Sequence, residues 1–142
     1  MTTYPQGSFQ LVDHAADVGI RMEAETLGGL FEVAGMALTD IMTSVAAVAP
    51  TIERQFRIQE DGLEMLLVSW LQEILYLLDT EGLVFGRFQV NVQNCRLVAA
   101  AWGEPFDPDV HGAKTEIKAV TYHQLEIGES DRGWRAQVII DL

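Results

Sequence analysis

Apolar positions along the chain recur with two different periods. Phe9 and Leu11 share one face of residues 8–14, and Val18, Ile20 and Met22 alternate with Gly19, Arg21 and Glu23. Period-two spacing of this kind predicts two half-buried strands. Leu27, Leu30, Phe31, Ala34, Leu38, Ile41 and Met42 then follow at helical spacing. Thr26 stands before them as an N-cap, so 27–43 is predicted to be an amphipathic helix. Gly28, Gly29 and Gly35 each lower its propensity by about 1 kcal/mol relative to Ala. The helix must therefore lean on tertiary packing, and Gly35 suits close approach to a sheet. Ile52, Phe56 and Ile58 alternate with polar residues and predict a strand at 51–59. Asp61 and Glu64 read as a capping box for a second helix over 62–79. Its stripe of Leu63, Leu66, Leu67, Trp70, Leu71, Ile74, Leu75 and Leu78 is the strongest helical pattern in the chain and predicts the main core element.

After Gly82 the composition turns to β. Residues 84–93, 96–102, 115–127 and 134–140 are predicted strands, with 128–133 as a hairpin loop. Pro105 and Pro108 predict an irregular loop over 103–112. Two amphipathic helices among six or seven strands, with hairpin-length connections in the second half, predict an α+β fold. It is expected to form a single domain over 1–142 with a mostly antiparallel β-sheet.

Hydrophobic residues make up 49% of the 142 and charged residues 21%, which is ordinary for a globular protein and excludes disorder. Nine basic residues against 21 acidic ones give a net charge of −12. Most of the surface then repels a phosphate backbone, so no direct nucleic-acid partner is expected, and a metal ion or a basic protein fits better. The only cysteine, Cys95, excludes an internal disulfide and a cysteine-based metal site. No apolar run approaches the roughly 20 residues of a membrane span, and no basic segment followed by an apolar one opens the chain. A cytoplasmic location is expected.

The candidate chemistry lies at the two ends. Asp13-His14-Ala15-Ala16-Asp17 packs two carboxylates and an imidazole between the first two predicted strands. Asp141 follows the apolar run Val138-Ile139-Ile140, where a carboxylate is costly unless paired or metal-bound, and the terminal carboxylate of Leu142 adds negative charge beside it. If the ends meet, their oxygens suit Ca²⁺ or Mg²⁺ rather than zinc. The plainer reading is that Asp13 or Asp17 only caps a turn. His14, His111 and His123 are too few and too scattered for a nitrogen-rich two-metal site, and His14 reads best as a hydrogen-bonded structural residue. In Glu116–His123, alternation places Ile117, Ala119 and Thr121 on one face and Lys118, Val120 and Tyr122 on the other. Lys118 either pairs with a carboxylate of the acidic site or is a surface lysine on an edge strand. No phosphate loop, nucleophile elbow or cysteine–histidine pair is present, so no conventional catalytic constellation is either.

Five segments together resemble the archease family: Asp13–Val18, Leu66-Leu67 to Trp70-Leu71, Trp102-Gly103-Glu104, Glu116–His123 and Val138–Leu142. They run nearly end to end, in order and at the family's usual length. The resemblance implies an archease-like fold and a protein that is not itself an enzyme. It implies a protein cofactor of the RtcB-type tRNA-splicing RNA ligase, which speeds GTP-dependent guanylylation of the ligase histidine and allows multiple turnover. It also implies a divalent cation, calcium first and magnesium or manganese as alternatives, held by Asp17, Asp141 and an oxygen of Leu142. Lys118 takes the place of the family's functional lysine, and Asp13 and His14 flank the site. Ala15 stands where the family often has threonine, which removes a hydroxyl but not a ligand. Two other classes remain as alternatives: a stand-alone metal-dependent phosphohydrolase using the same carboxylates, and a chaperone-like binding module with an exposed apolar surface near Trp70 or the 103–112 loop.

Overall fold

The computed structural model describes residues 1–13 and 15–142. In chain order these form β1 (Thr2–Tyr4), β2 (Gly7–Asp13), β3 (Asp17–Ala24), α1 (Leu27–Met42), β4 (Ile52–Gln59), α2 (Leu63–Glu81), β5 (Leu83–Gln93), β6 (Arg96–Pro105), α3 (Pro108–His111), β7 (Ala119–Val120), β8 (Glu126–Ser130) and β9 (Gly133–Asp141). Every strand pairing among them is antiparallel. One sheet runs β1-β2-β3-β9, with β7 and β8 sharing the far edge of β9; the other runs β4-β6-β5. The expected α+β architecture is therefore present. None of the described helices is long and apolar enough to cross a membrane.

Helix α1 is buried on nearly every side: 12 of its 16 residues are buried, so it is a core helix rather than a surface one. The Thr26 side chain caps it by accepting from the Gly29 N–H at 3.0 Å. Gly35 does allow the expected close approach, because a Cβ there would lie 2.9 Å from the Phe88 ring of β5. Helix α2 packs its leucine stripe inward, and Trp70 is fully buried. The Trp70 indole N–H donates to the Phe31 carbonyl at 2.9 Å and ties α2 to α1. The Trp70 stripe is core, as its spacing predicts.

Four local expectations are corrected. The N-cap of α2 is Gly62, with no side-chain cap bond, rather than Asp61; the Leu66 N–H donates to the Gly62 carbonyl at 3.0 Å, so the first turn starts one residue later than the Asp–Glu pair suggests. Residues 115–127 do not form one strand. Ala119–Val120 pairs with β9 as β7, and Glu126–Ile127 begins β8 on the same strand; between them the Thr121 hydroxyl bonds the Ile139 carbonyl and Gln124 adopts a left-handed φ of 52°, so the chain breaks into two strands. Strict alternation fails there too, since Ile117 and Val120, three apart, are both buried. The 103–112 segment is not wholly irregular, because Pro108 opens the one-turn helix α3 and Asp107 caps it, a position where the missing proline N–H costs nothing. Finally, Gly128–Ser130 belong to β8, which leaves only Asp131 and Arg132 in the hairpin turn. Strand β1, which pairs with β2, has no counterpart in the sequence pattern.

Candidate cation site

The buried set Val18, Ile20, Met22 and Ala24 fixes the inner face of β3, so Asp17, Gly19, Arg21 and Glu23 share the other face, where Gly19 is buried under Ile139 and Arg21 and Glu23 are exposed. Strand β9 pairs with β3 along eight residues, from Asp17 opposite Asp141 to Ala24 opposite Trp134. The Leu142 N–H donates to the Ala16 carbonyl at 3.1 Å. That makes 16 and 142 a hydrogen-bonded pair, and Asp17 and Asp141 the adjacent non-hydrogen-bonded pair. In such a pair the Cα atoms are about 4.5 Å apart and the side chains approach most closely. The chain's early acidic residue and its late one thus stand directly opposite each other on the same face.

Like charges directly opposite one another destabilise a sheet. The Oδ1 atom of Asp17 is also buried and has no hydrogen-bond partner among the described residues. A buried acceptor left unpaired costs about 1–3 kcal/mol, and more when it is charged. Beside it opens a cavity of about 390 Å³ lined by Ala15, Ala16, Asp17, His123, Gln124 and Ile139. An orphaned carboxylate oxygen with a second carboxylate opposite is a donor set that fits a hard divalent cation. No three His, Cys, Asp or Glu side chains converge among the described residues, so further oxygens would have to come from Leu142, the backbone or water.

The remaining residues singled out by the sequence fall at different distances from this pair. Leu142 is half-buried and is brought alongside by its bond to Ala16. The Lys118 N–H donates to the Asp141 carbonyl at 2.9 Å, which places Lys118 next to the pair through its backbone. Its side chain is exposed, and no carboxylate lies within ion-pair distance of it among the described residues. Asp13 pairs with Val18, so it shares the Val18 face and not the Asp17 face. His14 lies outside the described residues.

Two features escaped the sequence pattern. His123 and Gln124 line the cavity because the chain reverses after Thr121, and nothing in a run of strand-like residues announces that turn. Further away, His111 is only 5% exposed. Its Nδ1 accepts from the Asp107 N–H at 2.9 Å, so the ring proton sits on Nε2, which donates to Glu104 Oε2 at 2.8 Å. Glu104 Oε2 also accepts from the Ala49 N–H at 2.7 Å. The bond from His111, then the one from Ala49, hold the Glu104 carboxyl below its ordinary range. The couple staples β6 to α3 and to the connector after α1. A single histidine in a proline-rich loop carries no periodic signal of burial.

Residues 9–142 match the Archease protein family (MTH1598/TM1083). The chain is 41% identical over 135 residues to protein archease of Pyrococcus furiosus, covering 92% of this chain and 95% of that one. It is 35% identical over 136 residues to protein archease of Sulfurisphaera tokodaii, covering 94% and 98%. The solution structure of Methanobacterium thermoautotrophicum protein 1598 superposes with a TM-score of 0.82 at 34% identity, covering 94% of this chain and 98% of that one. The crystal structure of an archease from Thermotoga maritima, described as a possible chaperone, superposes with a TM-score of 0.66 at 18% identity, covering 92% and 94%. That last likeness is one of fold.

Proposed function

The chain belongs to the archease family, and from that premise we propose that it is a non-catalytic protein cofactor of an RtcB-type RNA ligase. In this reading it promotes the GTP-dependent guanylylation of the ligase and its repeated turnover in tRNA splicing or RNA repair. The observation that carries the reading is the Asp17–Asp141 cross-strand pair, with its buried and unpartnered Asp17 oxygen. Asp17, Asp141 and an oxygen of Leu142 would hold a divalent cation, with calcium the first choice. Bound there, the cation would supply positive charge to an acidic surface that has to approach a nucleotide-loaded active site.

The chain's own residues have simpler tasks. The β3–β9 ladder orients the two carboxylates, because backbone bonds on either side leave their spacing little freedom. Lys118 offers an exposed ammonium one residue from strand β7 and is the group proposed to meet the ligase or its nucleotide. Among the alternatives, the chaperone-like module loses the surface around Trp70, which is fully buried.

The test is a time course of ligase guanylylation with and without this protein. Asp17→Ala and Asp141→Ala are expected to abolish the stimulation while circular dichroism stays native. Full stimulation by both variants would remove the carboxylates from the mechanism. Turnover of phosphoesters by the protein alone would favour the hydrolase reading instead.

A further inference from the structure

A second cavity, of about 390 Å³, lies away from the acidic pair. Its apolar lining comes from Met42 at the end of α1, Leu75 and Leu78 of α2, Phe106 after β6, and Ile117 in the segment that leads to β7. A pocket of this size with an apolar floor is typical of a binding site.

Its charged lining is two acids, Asp79 and Glu116, and one base, Lys114. Asp79 stands in the last turns of α2, which contain no basic residue, so a carboxylate sits at the negative end of the helix dipole. Glu81 in the same turn is paired with Arg54 at 2.9 Å; Asp79 has no basic partner among the described residues. Glu116, which also lines the cavity, is exposed and likewise has no basic partner among the described residues. The Lys114 ammonium is already engaged by another acid: it donates to the Asp40 carbonyl at 3.1 Å and lies 3.7 Å from Asp40 Oδ1. The two helix ends are thus treated differently. Lys114 bonds Asp40 near the C-terminus of α1, while the C-terminal turn of α2 carries Asp79, which lines the cavity together with Glu116.

We propose that this cavity is the anchor pocket for a protein segment of the ligase that presents one large apolar side chain beside a lysine or arginine. The apolar side chain enters between Leu78, Phe106 and Ile117, and the cation meets Asp79, Glu116 and the dipole of α2. The proposal rests on the reading of this chain as a ligase activator and adds where the ligase grips it. The far wall of the pocket, residues 113–117, runs directly into Lys118, whose N–H bonds the Asp141 carbonyl. Occupying the pocket therefore fixes the segment that adjoins the cation site.

Two measurements test this. In the first, methyl NMR spectra follow titration with the capped peptide Arg-Leu-Phe-Arg and, separately, with Glu-Leu-Phe-Glu. Shifts confined to Met42, Leu75, Leu78 and Ile117, with the basic peptide alone, support the pocket. Equal shifts with both peptides, shifts elsewhere or no shifts with either overturn it. In the second, ligase binding is compared between the wild type and the double variant Asp79→Lys/Glu116→Lys, both side chains being exposed. Reversing rim charges of this kind is expected to weaken binding by about tenfold or more and to remove its salt dependence. Unchanged binding means the ligase docks elsewhere and overturns the proposal. If the wild type does not bind the ligase at all, the activator reading fails, while the peptide titration still decides whether the pocket takes a basic apolar segment.

Discussion

Asp17 and Asp141 repel each other across a pleat where no basic side chain forms an ion pair with either among the described residues. Relieving one such like-charge pair is worth about 0.2–1 kcal/mol. Asp141→Asn is therefore expected to be slightly more stable than the wild type to urea in EDTA, and less stable than the wild type in millimolar calcium. A variant less stable under both conditions would show that the carboxylate serves packing rather than cation binding. Glu104 gives a second residue-scale test. Its folded pKa lies below its unfolded value, first because of the His111 bond and then because of Ala49. That contribution to stability is present above the unfolded carboxyl range, near about 4.3, and is lost as pH falls through the lower folded value. Glu104→Gln keeps an acceptor for His111 but removes the titration. Wild-type stability should then fall more steeply than that of the variant as acid is added below about pH 4.5. Parallel acid profiles from thermal melts would count against the assignment.

The decisive elements are α1 and the β3–β9 ladder. Helix α1 contains Gly28, Gly29 and Gly35 yet is the most enclosed helix of the fold. Two effects compete at Gly35→Ala. Alanine raises helix propensity by about 1 kcal/mol, whereas forcing a methyl into a packed core typically costs about 1–3 kcal/mol. Phe88 is 3% exposed and packs edge-on against Trp70, so it has little room to retreat from a Cβ at 2.9 Å. Overpacking should win, with a net loss of about 1 kcal/mol measurable by urea denaturation. A stabilised variant would mean that the α1–β5 contact is looser than its geometry. The one-turn helix α3 shows a similar competition: proline ends most regular structure, but at a first helical turn it fits, and Asp107 supplies the cap.

At the scale of the whole molecule, the net charge of −12 and the proposed cation site make separable predictions. Sodium chloride should stabilise the protein modestly by screening. If the proposed site binds calcium, calcium at matched ionic strength should add a specific increment, because the site exists only where β3 and β9 are paired. A ligand present at 100 times its Kd contributes about 2.7 kcal/mol to stability. The increment should appear as a calcium-dependent rise in the unfolding temperature and vanish in the Asp17→Asn/Asp141→Asn double variant. Equal effects of calcium and sodium at matched ionic strength would leave screening as the whole explanation.

Local pattern alone determined the elements whose burial repeats along the chain. The leucine stripe of α2 and the alternation of β3 were legible because each residue's face depends only on its neighbours' spacing. The fold class followed from the order of those elements, and Asp17 and Asp141 could be named as candidate carboxylates from their places in the chain. Only the tertiary structure decided what depends on residues far apart. It set the register that puts Asp17 opposite Asp141, the burial of His111 against Glu104, and the turn at Gln124 that splits residues 115–127. It also decided which acid Lys114 meets: its ammonium lies 3.7 Å from Asp40 Oδ1, while Asp79 and Glu116 in the same cavity have no basic partner among the described residues. Periodicity reports which face of a segment meets the core, but register, loop burial and charge pairing are properties of two segments at once.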